Sequence, residues 1–423
     1  MNGRSSRRST SARGVRRWLG APLVSIALVA GAACLAVTAG AATAKSTVTL
    51  TEIDYYNSPP GSTAIGPLLK TCAAKAGVTI QHHTVPQANL IPQLLQDVGT
   101  HSYPNLALVD NPNVQQMAQT GAIISLSGIN TRGIFPSIAS AGSYHGKTYG
   151  IATGVNDLAI YYNKADLTAA GLTPPKTWGE LHADASKLTS SSHGTYGFAF
   201  SAPSEEEATW DFEPFFWGNG ASLAKINSSQ AVQALTFLDG MVSDGSVSKE
   251  VVNWTQADVE EQFAAGHAAM MINGPWQLPV LNAPGTPAFG IVPLPVPKAG
   301  DKPVSPLGGE TWTVGKSSAA KEAGAVKVVQ CLLSPAQSLK WSKTVGYIST
   351  DETVAHQMAA SNAQLAAFVS EIGSAKARTG PPANLGPKYN TISQAIWTAV
   401  QSVITGQATP TAALGNAAAS VGQ

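Results

Sequence analysis

Apolar and polar residues alternate from Val48 to Tyr56, the two-residue period of a half-buried strand. Asn57, Pro59, Pro60 and Gly61 break that pattern, and a helix is expected around Ile65 to Ala76. A second strand (Val78 to His82), a second helix (Leu90 to Val98) and a short apolar strand from Leu106 to Val109, ending at Asp110, follow before another helix from Val114 to Gln119. Strands separated by helices predict βαβ units, a parallel sheet and the α/β class. Ligands of such sheets bind at the carboxyl ends of the strands, which makes Tyr56, Asn57, Asp110 and Asn111 candidates by position. For Asp110 the competing role is to cap the helix that follows it.

Further along, Tyr149 to Ile160 reads as extended and leads into two helical turns, Lys164 to Ala170, closed by Gly171. Pro174 and Pro175 forbid helix, and Thr177 is positioned to cap a helix starting at Trp178 with Glu180 in its first turn. Phe263 to Trp276 reads as a helix end, a glycine turn, a short apolar strand and a loop carrying Trp276. On the strand Leu307 to Val314, Glu310 and Trp312 are two apart and so point to one side. Ala319 to Leu333 is an amphipathic helix, and most of the remainder is helical.

The first 44 residues change the picture of where the chain works. They hold six arginines and no acidic residue, an apolar run from Leu19 to Ala39, and the small-residue site Ala42, Thr43, Ala44. Residues 1–44 are therefore expected to be an export signal, with a mature start near Lys45 and an extracytoplasmic location. A lipoprotein is the competing reading, with Cys34 as the lipidated residue, although Gly31 stands where an aliphatic residue is usual. Arg16 and Arg17 also raise the twin-arginine route.

Removing the signal leaves 20 of the 26 basic residues against 25 acidic ones, a net charge of about −5, with Arg132 and Arg378 as the remaining arginines. Nucleic acid is excluded as a natural partner on that ground. About 380 residues exceed one hydrophobic core, so two lobes are expected. After cleavage Cys72 and Cys331 remain; an extracytoplasmic location permits a disulfide between them, and two separate buried thiols are the alternative.

The stretches YYNKADLTAAGLTPPKTWGEL (161–181), FAAGHAAMMINGPW (263–276) and LGGETWTV (307–314), with several others, resemble segments of the family 1 extracellular solute-binding proteins, the sugar-capturing components of ABC importers of the maltose-binding type. The others are PNLALVDNPNVQQMAQTGAIISL (104–126), WDFEPFFWGNGASL (210–223) and SPAQSLKWSKTVGYIST. The strand end reads VDNP where PD is commoner in the family. The resemblance implies a two-lobed periplasmic-binding-protein fold of mostly parallel sheets flanked by helices, joined by a hinge of crossing strands. With residues 1–44 set aside as signal peptide, it places 45–155 and 308–348 in lobe 1, and 156–307 and 349–423 in lobe 2. A hinge strand from Tyr149 to Ala159 and a third crossing near Gly346 to Thr350 follow from it. It further implies a monomer that captures a carbohydrate, an oligosaccharide by preference, and delivers it to the transmembrane permease of an ABC transporter.

Sugar rings present flat C–H faces to aromatic plates and hydroxyls to polar groups. Trp276, Trp312, Phe215 and Trp217 are accordingly expected as stacking surfaces, and Asp110, Glu310, Asn57 and Asn156 as hydroxyl partners, with Tyr56 at the same strand end. Glu205, Glu206 and Glu207 read as a solvated helix start, and Tyr389 is a weaker cleft candidate. No Walker loop, G-x-S-x-G elbow, H-E-x-x-H or C-x-x-C occurs, and His82 and His83, adjacent on a strand, face opposite sides. Neither metal nor cofactor is expected. The alternatives are a secreted carbohydrate-active enzyme, for which Asp110 and Glu310 would be the two carboxylates, and a binding protein for a peptide or polyamine. The shortage of arginine speaks against an anionic ligand.

Overall fold

A computed structural model describes residues 47–129, 131–379 and 385–423. The expected export signal, with Cys34 and the expected cleavage site at Ala44, lies outside the described residues. Among the described residues ten strands are formed: β1 (Val48–Asp54), β2 (Val78–Thr84), β3 (Leu106–Asp110), β4 (Ser143–Tyr144), β5 (Lys147–Thr148), β6 (Gly150–Ala152), β7 (Ala159–Asn163), β8 (Met270–Asn273), β9 (Phe289–Val292) and β10 (Glu310–Val314). They build a five-stranded sheet in the order β2-β1-β3-β10-β6, a three-stranded sheet in the order β8-β7-β9, and the small hairpin β4-β5.

Strand alternation decides which core each residue enters. Leu50 joins Leu68, Leu69 and Trp312 on one face of the larger sheet, while Ile53 joins Leu90, Leu94 and Val109 on the other. Helices Gly61–Ala76 and Ala319–Leu332 cover the first face and are joined by a disulfide between Cys72 and Cys331. In the smaller sheet Ile160 enters one cluster with Phe212 and Phe216, and its neighbour Tyr161 enters another with Phe263 and Phe368.

Sheets of mostly parallel strands do not form. In the larger sheet β1 is parallel to β2 and β3, but β10 runs antiparallel to both β3 and β6, and β7 is antiparallel to β8 and β9. The reason is the path of the chain. It leaves the larger sheet after β6 and re-enters at the edge where β3 ends, Glu310 pairing with Asp110, so β10 must run the other way. Single parallel bridges, Tyr196 to Ala268 and Ala199 to Met271, extend the smaller sheet.

The expected strand from Tyr149 to Ala159 is also divided, into β6 and β7. Between them, Val155 exchanges backbone hydrogen bonds with Ile348 (2.9 and 2.8 Å), and Asn156 pairs with Gly308. Three connections thus lie side by side where the chain passes between the sheets.

The elbow after β7 forms as its residues dictate. Asn163 caps helix Lys164–Ala170 through Ala165 N–H at 2.9 Å, Gly171 ends it at φ 67°, and Thr177 and Glu180 form a reciprocal capping box on helix Trp178–Leu188. Among the described residues no helix is long and apolar enough to cross a membrane.

Candidate functional site

The ends of β1, β3 and β6 and the start of β10 share one edge of the larger sheet, and a cavity of about 410 Å3 opens there. Tyr55, Tyr56 and Asn57 reach it from the end of β1, Asp110 from β3, Asn156 from the crossing, and Glu310 from β10. Helix Glu206–Gly218 contributes Glu206, Glu207 and Trp210, and the loop after β8 contributes Trp276. This volume falls in the usual range of small-molecule sites.

One wall is built of carboxyls and tyrosines. Asp110 and Glu310 are directly paired across β3 and β10, and the Tyr55 hydroxyl oxygen lies 2.8 Å from Asp110 Oδ1 and 2.6 Å from Glu310 Oε1. One hydroxyl hydrogen serves only one of these contacts, so the other requires a proton on a carboxyl. Burial, and then the facing Asp110, hold the Glu310 carboxyl above the usual range, consistent with that requirement. Burial also raises Asp110, against the pull of Arg378. Tyr347 donates to Glu310 at 2.5 Å, and burial first, then Glu310, push its hydroxyl well above the ordinary tyrosine range. Asp110 makes no side-chain cap on the turn that follows, so capping is not its role.

The facing wall is built around Arg378, whose side chain is only 4% exposed. Its Nη1 donates to Glu206 at 2.6 Å, and its guanidinium stacks 4.4 Å from the Trp210 ring and 5.6 Å from that of Tyr389. Glu206, Trp210 and Glu213 recur at intervals of four and three on one helix face, so a single helix presents both carboxylates and the ring. Burial works against the Arg378 charge, but Tyr389, Glu206, Glu213 and Asp110 together hold it above its ordinary range. Burial pushes Glu207 up to about 7, while its bonds to Gln256 N–H and Ser201 Oγ pull the other way.

Two glycines let the aromatic residues come close. A Cβ on Gly274 would meet the Trp276 ring at 1.8 Å, and one on Gly308 would meet Asn156 Oδ1 at 2.0 Å and Trp210 at 2.5 Å. Trp276 is half-buried and packs against the apolar clusters of both sheets.

Of the expected site residues, Trp276, Glu310, Asp110, Asn156, Asn57 and Tyr56 line the cavity, and Trp312, Trp217 and Phe215 do not. Trp312 does share a face with Glu310, but two residues further along the strand places it about 7 Å deeper, under the helices and 1% exposed. Phe215 is buried against Trp178 and Phe237, and Trp217 lies in the same core beneath Lys376. Tyr389 is buried too and acts through Glu206, to which it donates at 2.5 Å.

Sequence reasoning missed Trp210, Arg378, Glu206, Glu207, Tyr55 and Tyr347. Glu206 and Glu207 begin a helix at the cleft rather than a solvated one. The spacing of Glu206 to Trp210 was the available signal for that wall.

Residues 68–367 match the family model of bacterial extracellular solute-binding proteins. A Brucella abortus (strain 2308) protein described as a binding protein is 24% identical over 424 residues, covering 96% of this chain and 98% of the relative. A maltooligosaccharide ABC transporter solute-binding lipoprotein of Streptococcus pneumoniae (strain R6) is 24% identical over 348 residues, 76% of this chain and 77% of its own. Among solved structures, an ABC transporter solute-binding protein of Thermotoga lettingae TMO bound with α-D-tagatose superposes with a TM-score of 0.79 at 26% identity, covering 89% of this chain and 99% of that one. The fold is the two-lobed one of that structure, with a cleft at the strand ends, and the chain belongs to the bacterial extracellular solute-binding proteins.

Proposed function

We propose that the cleft captures a carbohydrate and that the protein hands it, unaltered, to the permease of an ABC transporter. The observation that carries this reading is the joint placement of two tryptophans, Trp210 and Trp276, and a set of buried carboxyls and hydroxyls around one cavity. Indole faces suit the C–H faces of a sugar, and the polar rim suits its hydroxyls. The sugars in the names of the relatives, tagatose and maltooligosaccharide, belong to the same chemical class.

In this reading residues 45–155 and 308–348 form one lobe, and 156–307 with 349–423 the other. Tyr55, Tyr56, Asp110 and Glu310 contact the ligand from the first lobe, and Trp210, Trp276 and Arg378 from the second or its boundary. The paired connections at Val155, Gly308 and Ile348 are the hinge, and ligand shifts the population toward the closed form by touching both lobes. Closure presents a lobe-edge surface to the permease. The protein works as a monomer on the extracytoplasmic side.

Hydrolysis is the poorer reading. Asp110 and Glu310 lie on one wall, tied to the same tyrosine oxygen, instead of flanking a gap in which a glycosidic bond would sit. Tryptophan fluorescence and thermal melting against mono- and oligosaccharides, with peptides and polyamines as controls, test the assignment. A saturable spectral change and a raised Tm with one sugar class, without loss of the sugar, is the expected result. A response confined to peptides or amines would overturn the ligand class, and consumption of the sugar would overturn the binding role.

A further inference from the structure

A second polar cluster lies on the larger sheet, outside the cavity. Glu52 and Asp54 are two apart on β1 and share a face, and the edge strand β2 sets His82 opposite Glu52 in register. Both carboxylates are fully buried, whereas the His82 side chain is 29% exposed. His82 Nε2 lies 2.7 Å from Asp54 Oδ2 and 3.6 Å from Glu52 Oε2, and one donor atom from each of the three residues falls within 4.8 Å of the others.

Glu52 is the unexplained member. Both of its oxygens are buried and neither accepts a hydrogen bond, although it sits beside a second buried carboxylate. An ionised carboxylate so placed loses its hydration with no hydrogen bond in exchange, only the His82 nitrogen at 3.6 Å. Asp54, by contrast, already accepts the Tyr56 N–H at 2.8 Å through its other oxygen.

We propose that Glu52, Asp54 and His82 form a binding site for a divalent first-row transition cation, of which Zn2+ is the convenient probe. One imidazole nitrogen and two carboxylate oxygens are a donor set suited to such ions, and the nitrogen argues against Ca2+ or Mg2+. In a tetrahedral zinc site with bonds of about 2.0–2.1 Å, donor atoms stand about 3.3 Å apart, between the 2.7 and 3.6 Å found here. Coordination would replace the His82–Asp54 contact with a small opening and give Glu52 its missing partner. His82 is partly exposed, so a water could complete the shell in the fourth position.

The test is calorimetric titration of the purified, chelator-treated protein with Zn2+, paired with thermal melting. The unaltered protein is expected to take up Zn2+ saturably at this site and to melt at a higher temperature in its presence. His82→Ala, on an exposed edge strand, and Glu52→Gln should each weaken that uptake at least about ten-fold, while His83→Ala, on the other face of β2, should leave it unchanged. Far-UV circular dichroism of each variant checks that the fold persists. Absence of uptake by the unaltered protein, or uptake that survives both His82→Ala and Glu52→Gln, would overturn the site.

Discussion

On the β3–β10 wall of the cleft, Asp110 and Glu310 face each other and are steadied by the hydroxyls of Tyr55 and Tyr347. On the helix wall, Glu206 and Glu213 lean on the Arg378 guanidinium, which is itself stacked on Trp210. Hydroxyls tolerate a protonated neighbour and can exchange roles with it, so the first wall accommodates a change in its proton count. The second wall is fixed by a permanent cation. A ligand held in this cavity would therefore meet one surface that adapts as hydrogen-bond donor or acceptor and one that does not.

The comparison is broken most directly at Arg378. Arg378→Met leaves Glu206 and Glu213 without their buried cation and is expected to cost about 3–5 kcal/mol of stability in urea unfolding. Tyr55→Phe, on the other wall, is expected to cost only about 1 kcal/mol. Equal costs would show that the two walls are not held differently.

Trp276→Ala is expected to weaken sugar binding by about 1–3 kcal/mol in a fluorescence or calorimetric titration, with the fold unaltered. An unchanged affinity would remove Trp276 from the ligand surface.

Glu310→Gln sharpens the contrast in protonation. A carboxyl raised by folding binds more protons folded than unfolded, so its contribution to stability is greatest at low pH and is lost as pH rises from the ordinary carboxylate value toward its raised one. The slope is at most about 1.4 kcal/mol per pH unit for each proton. Melting from pH 4.5 to 8 should therefore show a shallower decline in the Glu310→Gln variant, and an identical decline would mean that Glu310 titrates normally.

The smallest effect on ligand binding is expected at Trp312. Trp312→Phe should leave ligand affinity untouched and lower stability by about 1–3 kcal/mol, because the residue is core and not cleft. A lost affinity would return it to the site.

What the sequence disclosed follows from the range over which its signals act. The strand ends Tyr56, Asn57 and Asp110, the helix Lys164–Ala170 and the Thr177 cap are dictated by a few neighbouring residues, and they stand where local pattern put them. The aromatic segment did not sort itself so easily. Helix Glu206–Gly218 is buried at every position from Ala208 to Trp217, so no exposed face marks which of its rings turns to the cleft, and the Glu206 to Trp210 spacing is the one local hint. Trp210 and Phe215 read alike there, although one lines the cavity and the other packs on Phe237. Arg378, Tyr55 and Tyr347 are beyond reach for another reason: their roles exist only once segments remote in sequence have met, and a scarce arginine speaks of ligand charge in the sequence although its partner in the fold is the protein's own Glu206.

The position of β10 between β3 and β6 has a consequence for how the protein is made. A growing chain completes β1, β2, β3 and β6 long before residue 314 is synthesised, so the larger sheet waits with the strand between β3 and β6 missing. Until then β3 offers a bare edge, and Asp110 has no Glu310 opposite it. Contacts this remote are slow to close, and fragments that stop short of β10 carry an edge able to pair with another chain. Assembly of the cleft is thus one of the last events of synthesis, because the strand that completes it is among the last to arrive.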